Sequence, residues 1–295
     1  MKPDTSTINI KAMALLIILC ASWGLNQVAI KVAVADIPPV LQAGIRSIGA
    51  TCLMLVWMTI KKKTLLEKDG TLLWGLICGL LFSAEFVLIY WGLEFTNASR
   101  STIFLNTSPF VVALGAHLFI RAEYLSRIQI IGMVLAFAGI LVAFHESLNL
   151  PDSEMIKGDI MLMGAAVFWG ATTVVIKASP LAKVYPGKVL LYQLGVSAVI
   201  LPFASLFLGE PPIQTLTPLV ISSLIYQTVW VAFITYVTWF WLIRTYPVSR
   251  LAPFTFLTPL FGVLAGSWLL GETVTIYLLC ALAMVGAGIY LVNRR

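Results

Sequence analysis

Apolar residues fall in ten long runs, near 12 to 33, 40 to 60, 71 to 93, 101 to 120, 126 to 145, 158 to 178, 188 to 209, 217 to 243, 250 to 270 and 274 to 293, with only short polar segments between them. A helix of about 20 residues crosses the roughly 30 Å hydrocarbon core of a bilayer, and each run is long enough to do so. The runs are continuously apolar and lack the alternation of a barrel strand, so they predict helices. Lys2 and Lys11 precede the first run in the manner of a signal peptide, but that run is long, carries Asn26, Gln27 and Lys31, and has an internal copy. It reads as a retained first span.

The polar and small positions inside the runs repeat. Trp23-Gly24-Leu25-Asn26-Gln27-Val28-Ala29-Ile30-Lys31 returns as Trp169-Gly170-Ala171-Thr172-Thr173-Val174-Val175-Ile176-Lys177, displaced by 146 residues. Trp91, Leu93, Ser99, Arg100, Phe104 and Pro109 answer to Trp241, Ile243, Ser249, Arg250, Phe254 and Pro259 at an offset of 150; Glu123, Gly139 and Ile140 answer to Glu272, Gly288 and Ile289 at 149. Pro39 and Arg46 correspond to Pro186 and Gln193. The chain thus divides into halves, 1–150 and 151–295, of five spans each. An odd number of spans makes the second half enter the membrane from the opposite side, about a pseudo-twofold axis in the membrane plane. The expected fold is all-α integral membrane, ten transmembrane helices in two inverted five-helix repeats around a central cavity. Halves of opposite polarity can exchange conformations, which is what a carrier with outward-open and inward-open states requires.

Composition agrees with the class: at 60% hydrophobic and 11% charged, there is too little polar surface to cover a soluble globule of 295 residues. If the spans alternate, 15 of the 19 Lys and Arg residues share one face with the termini. The positive-inside rule then predicts a multi-pass inner-membrane protein with both termini cytoplasmic. The net charge of +6 is a topology signal and implies no nucleic-acid partner. Lys61-Lys62-Lys63 reads as a stop-transfer anchor against anionic headgroups. Cys20, Cys52, Cys78 and Cys280 lie within spans without metal-ligand spacing and read as packing residues. His117 and His145 lie toward opposite faces, and the chain has no HExxH, paired-aspartate or P-loop motif. Neither an enzyme, nor a cofactor, nor ATP-driven pumping by this chain alone is expected.

The candidate chemistry sits inside the spans. Trp23 and Trp169 lie near the centres of their runs, away from the interfacial belts. Asn26 and Gln27 follow Trp23 by one turn, and Thr172 and Thr173 follow Trp169, giving each half an aromatic plane beside hydrogen-bonding groups. These polar residues could wall a pocket, or could be glue between packed helices. Glu85 is the one charge within the third run, about 4.5 Å from its centre at 1.5 Å per residue, and Arg46 lies about 6 Å from the centre of the second run toward the same face. Three readings compete for Glu85: ion partner of Arg46, ligand for a substrate amino group, or coupling-proton site. Its repeat mate is Thr235, so the charge is not part of the symmetric scaffold. Pro109 and Pro259 free the carbonyls of Leu105 and Thr255 in the middle of spans four and nine, and with Asn106 would shape a central path. Ser99 and Ser249 read as N-caps, and Glu123 and Glu272 as acids favoured at the starts of helices five and ten. Gln227, Val231, Thr235 and Thr238 share a face of helix eight; Trp239 and Trp241 read as interfacial belt. The spacings Gly75 to Gly79 and Gly262 to Gly266 seat neighbouring helices, a dimer face being the other reading.

Taken in order, these features resemble an EamA-type member of the drug/metabolite transporter superfamily, over both halves. They are the Trp-Gly of each first helix, Arg46 in helix two, Ser-Arg leading to a mid-helix Pro in helices four and nine, and Leu270-Gly271-Glu272 before the last helix. The first half departs at Arg121-Ala122-Glu123, where the Gly is absent. The resemblance implies small-metabolite transport, often export of amino acids or related compounds. The sequence expectation is a carrier with a small amphipathic solute and the lipid bilayer as partners. Its candidate contacts are Trp23, Asn26, Gln27, Arg46, Glu85, Asn106, Trp169, Thr172 and Thr173. An exporter of aromatic or cationic drugs using Glu85, and a passive pore, are the alternatives.

Overall fold

Asn9 accepts the N–H of Ala12 at 2.8 Å and so starts the first helix, α1 (Ile10–Val34). The computed structural model describes residues 8–63, 69–120, 123–147, 152–270 and 275–294. After α1 come α2 (Pro39–Ile60), α3 (Leu72–Gly92), α4 (Ala98–Leu105), α5 (Ser108–Phe119), α6 (Arg127–Ala143), α7 (Ser153–Ala178) and α8 (Pro186–Phe207). They are followed by α9 (Pro218–Ile225), a π-helical stretch (Tyr226–Thr235), α10 (Tyr236–Thr245), α11 (Val248–Leu251), a 3-10 stretch (Ala252–Phe256), α12 (Leu257–Leu270) and α13 (Ile276–Asn293). Proline opens α2, α8 and α9, where its missing N–H has no partner to lose. No strand occurs among the described residues. Nine helical stretches are long and apolar enough to span, and α6, at 17 residues, is a shorter tenth.

Helices pack mainly across the halves. α1 lies on α12, α2 on α8, α3 on α7 and α8, α4 and α5 on α7, and α6 on α13. The repeat exchanges these contacts: α2–α8 and α6–α13 join equivalent helices, and α1–α12 is the counterpart of α7 with α4 and α5. Two inverted five-helix repeats wrapped on one another give this pattern. Small residues permit the crossings. A Cβ on Gly24 would lie 2.6 Å from the Gly262 nitrogen, and Gly132 and Gly288 each abut the other's carbonyl. Gly79 sits against Val196, and Gly170 against Val111.

Spans four and nine are interrupted as expected, though by a different mechanism from a mid-helix proline. Span four stops at Leu105 and restarts at Ser108, so Pro109 is in the first turn of α5. Span nine tightens to 3-10 geometry over Ala252–Phe256 with Pro253 at its start, and Pro259 falls in the first turn of α12. Each proline therefore opens a new helix rather than kinking a continuous one.

Two capping expectations are corrected. Asn97, not Ser99, caps α4 by accepting the Arg100 N–H at 2.9 Å. Ser249 lies inside α11, and Glu123 does the capping from the other half: its carboxylate accepts the N–H groups of Val248 at 3.1 Å and Ser249 at 3.0 Å, and the Ser249 hydroxyl at 2.9 Å. The acid was expected at the dipole of its own following helix, but Ser126 and Gln129 already form a capping box there. Glu272, Gly271, Arg121 and Ala122 lie outside the described residues.

Candidate functional site

Trp23 and Trp169, equivalent in the two halves, converge on one residue. Trp239 packs edge-on to Trp23 (centroids 5.5 Å apart, planes at 78°) and stacks with Trp169 (6.3 Å, 16°). Trp239 is buried, whereas Trp241 is exposed, so only Trp241 keeps the surface position expected of both. The π-helical stretch ends at Thr235, immediately before α10, and π segments recur at functional sites. Thr235 accepts the Trp23 indole N–H at 2.9 Å, Tyr236 meets Trp23 edge-on at 6.3 Å, and Trp239 follows one turn later. In the first half the equivalent stretch is regular helix and carries Glu85 in place of Thr235.

From Tyr236 the aromatic surface continues to Phe82 (6.2 Å), Phe86 (4.9 Å from Phe82) and Tyr90 (6.1 Å from Phe86). Arg46 lies with its guanidinium carbon 4.6 Å from the Phe86 centroid. Glycine contacts set the heights. Gly44 abuts Pro202 on antiparallel α8, which puts Arg46 level with about residue 200; Gly79 abuts Val196 on the parallel α3–α8 pair, which puts Glu85 level with about residue 202. Glu85, Tyr90 and Tyr236 all lie within the electrostatic reach of Arg46.

Proximity does not make an ion pair, however. No carboxylate of a described residue lies within 4.0 Å of Arg46. Arg46 Nε and Nη2, Glu85 Oε2, and both amide atoms of Gln42 are buried without a hydrogen-bond partner among the described residues. Gln42 stands one turn before Arg46 on α2, a spacing that could have marked it in the sequence.

The remaining candidates divide. Asn26 is buried with Oδ1 unpartnered, but Gln27 points elsewhere and is exposed beside Gly262. Thr172 and Thr173 are buried, and their hydroxyls donate back to the carbonyls of Phe168 at 2.8 Å and Trp169 at 3.3 Å. They are thus committed to their own helix instead of bridging to another. Asn106 lies at the break of span four and donates its amide to the Thr102 carbonyl at 2.8 Å, closing the end of α4.

Two clefts lie at helix ends above and below this centre. One of about 400 Å³ lies where α1, α3 and α8 end and α2 begins, lined by Asp36, Pro39, Tyr90, Trp91, Glu94 and Glu210. The other, about 380 Å³, lies where α8 begins and α10 ends, lined by Pro186, Thr238, Trp241 and Arg244 among others. Pro39 and Pro186, Trp91 and Trp241, and Glu94 and Arg244 are repeat mates, so the clefts are equivalent positions of the two halves at opposite ends of the bundle. At the first end, Glu210 accepts the N–H groups of Val40 and Leu41, both at 2.9 Å. At the second, Lys177 donates to the carbonyls of Ile243 at 2.6 Å and Tyr246 at 2.8 Å. Nearby, Lys188 pairs with Asp69 at 2.7 Å. The Lys188 ammonium, and next the Thr71 hydroxyl, hold the Asp69 carboxyl down at about 2.

The chain matches the model of the EamA-like transporter family twice, over residues 10–145 and 156–294. It is 32% identical over 289 residues to a probable amino-acid metabolite efflux pump of Salmonella typhimurium, covering 95% of this chain and 93% of that one. It is 25% identical over 286 residues to the uncharacterized transporter YoaV of Bacillus subtilis, covering 96% of each. A protein of known crystal structure shares the fold with a TM-score of 0.81 over 96% of both chains, at 15% identity. With two matched repeats spanning nearly all of its length, the chain belongs to the EamA-like transporter family, as a multi-pass membrane transporter and not an enzyme.

Proposed function

We propose that this transporter exports amino acids or closely related small amphipathic metabolites by alternating access. The reading rests on one observation above the rest: the equivalent tryptophans of the two halves meet on Trp239, and the same aromatic surface runs on to the buried Arg46 and Glu85. An apolar side chain fits against such rings while polar ends reach the charges. The name of the Salmonella relative, a probable amino-acid metabolite efflux pump, agrees with this class. In the proposed cycle the halves, divided near residue 150, exchange conformations so that the two clefts open in turn. The termini lie on the cytoplasmic side of the inner membrane.

Reconstituted in proteoliposomes, the full chain is expected to move radiolabelled amino acids and to show trans-stimulation, which a carrier displays and a passive pore does not. Transport without trans-stimulation would rule out alternating access. Cysteine labelling at 94 and 244, exposed repeat mates, is expected to report opposite compartments; labelling from the same side would end the inverted-cycle reading. A second reading, export of lipophilic cations, draws on the unpartnered Glu85 Oε2. It requires that Glu85→Ala lose cation efflux while amino-acid efflux persists.

A further inference from the structure

The charges held inside the bundle or at its ends, among the described residues, fall into two groups. Most are matched: the Arg100 guanidinium holds the Asp159 carboxylate through Nε and Nη2, Glu123 takes three donors, Lys177 two carbonyls, and Lys188 pairs with Asp69. The unmatched atoms gather elsewhere. Of ten buried side-chain polar atoms without partners among the described residues, five belong to Gln42, Arg46 and Glu85 on α2 and α3. Leaving a buried polar group unsatisfied costs its desolvation with no hydrogen bond in return, and the cost is greater for a charged group. A purely structural role for these three residues would have paired them with one another, since Arg46 and Glu85 sit at nearly the same height along α8.

The open atoms of Arg46 also have a shape. Nε and Nη2 lie on the same edge of the guanidinium, the edge through which Arg100 holds Asp159 Oδ1 and Oδ2. The molecule thus shows the same fork twice, once closed by a carboxylate and once open. The guanidinium carbon lies over the Phe86 ring at 4.6 Å, and a planar carboxylate is the group whose geometry matches two N–H donors on one edge. Tyr90, in ring contact with Phe86, lines the 400 Å³ cleft, so two rings separate that cleft from Arg46.

We propose that the Nε–Nη2 edge of Arg46 holds the carboxylate of the transported solute, and that Glu85 Oε2 takes its ammonium group. The solute is then an α-amino acid in zwitterionic form, with its side chain toward the aromatic surface that leads to Trp23. This rests on the transport reading above and narrows it: a solute lacking either charged group is a poor ligand.

The test uses the full chain in lipid nanodiscs, with the twenty protein amino acids, their methyl esters and their N-acetyl derivatives as probes. Binding is read as thermal stabilisation and transport as counterflow in proteoliposomes. A free amino acid is expected to bind about tenfold or more tightly than its methyl ester, the loss of one charge-assisted bidentate contact. Arg46→Lys keeps the charge but not the fork and is expected to reduce the acid-over-ester preference, which Arg46→Met abolishes. Glu85→Gln is expected to erase the preference for the free amine over its N-acetyl form and to leave the acid-over-ester preference in place. Amino acids that bind and move while their esters compete equally well on the wild type would overturn this inference and leave the transport reading standing. Failure of every amino acid both to bind and to move would overturn the two together. The wild-type ester comparison decides even if Arg46→Lys does not fold.

Discussion

Trp23 donates its indole N–H to the Thr235 hydroxyl at 2.9 Å, joining the first helix of one half to the end of the π-helical stretch in the other. The Thr235 hydroxyl in turn donates to the Val231 carbonyl at 2.6 Å, so its orientation is fixed by its own helix. Thr235→Val is expected to cost about 1 to 3 kcal/mol by leaving the indole without an acceptor. The cost would appear as a lower unfolding temperature in detergent, with a shift in tryptophan fluorescence.

Trp239 makes ring contacts with the tryptophans of both halves. Trp239→Leu removes two contacts worth about 0.5 to 1.5 kcal/mol each beyond burial and opens space in the core. Initial transport rates are expected to fall at least tenfold, while Trp268→Leu, at an exposed position on α12 outside both clefts, stays within about twofold.

Glu123→Ala strands three buried donors at the start of α11. A loss of about 2 to 4 kcal/mol is expected from unsatisfied N–H groups and a lost helix-dipole partner, read by thermal unfolding. Glu123→Gln, which keeps an acceptor oxygen, is expected to recover part of it.

Because the Asp69 carboxyl is held at about 2, below its usual 3.8, its pairing favours the folded state at all pH values above the usual figure. The contribution declines as the pH falls below that figure and is lost below about 2. Unfolding temperatures of the wild type and Asp69→Asn are therefore expected to differ above pH 4 and to converge as the pH approaches 2. A difference that vanished near pH 5 would contradict the pairing with Lys188.

The sequence made the architecture legible because bilayer length and continuous apolarity leave few alternatives, and because the repeat is written in its tryptophans, prolines and glycines. It also brought Trp23, Trp169, Arg46 and Glu85 forward, since each is out of place in hydrocarbon. What it concealed depends on contacts between halves. Glu123 looked like a cap for its own helix because spacing along the chain does not reveal that α11 comes to rest beside it. Trp239 looked interfacial because depth was counted along a regular helix, whereas the span from α9 to α10 widens to a π-helix ahead of it and the ring is buried. Gln27 shares a turn with Asn26, and only the packing of neighbouring helices on α1 separates an exposed amide from a buried one.

The equivalent clefts differ in sign: Glu94, with Asp36 and Glu210, marks one mouth, and Arg244 stands at the mate of Glu94 in the other. A solute with both charges would approach the acidic mouth with its ammonium leading and the basic mouth with its carboxylate leading. The two approaches present opposite ends of the same molecule to the interior. Entry and departure would therefore run at unequal speeds and respond differently to ionic strength, giving the carrier a kinetic bias while its equilibrium stays fixed by concentrations on the two sides.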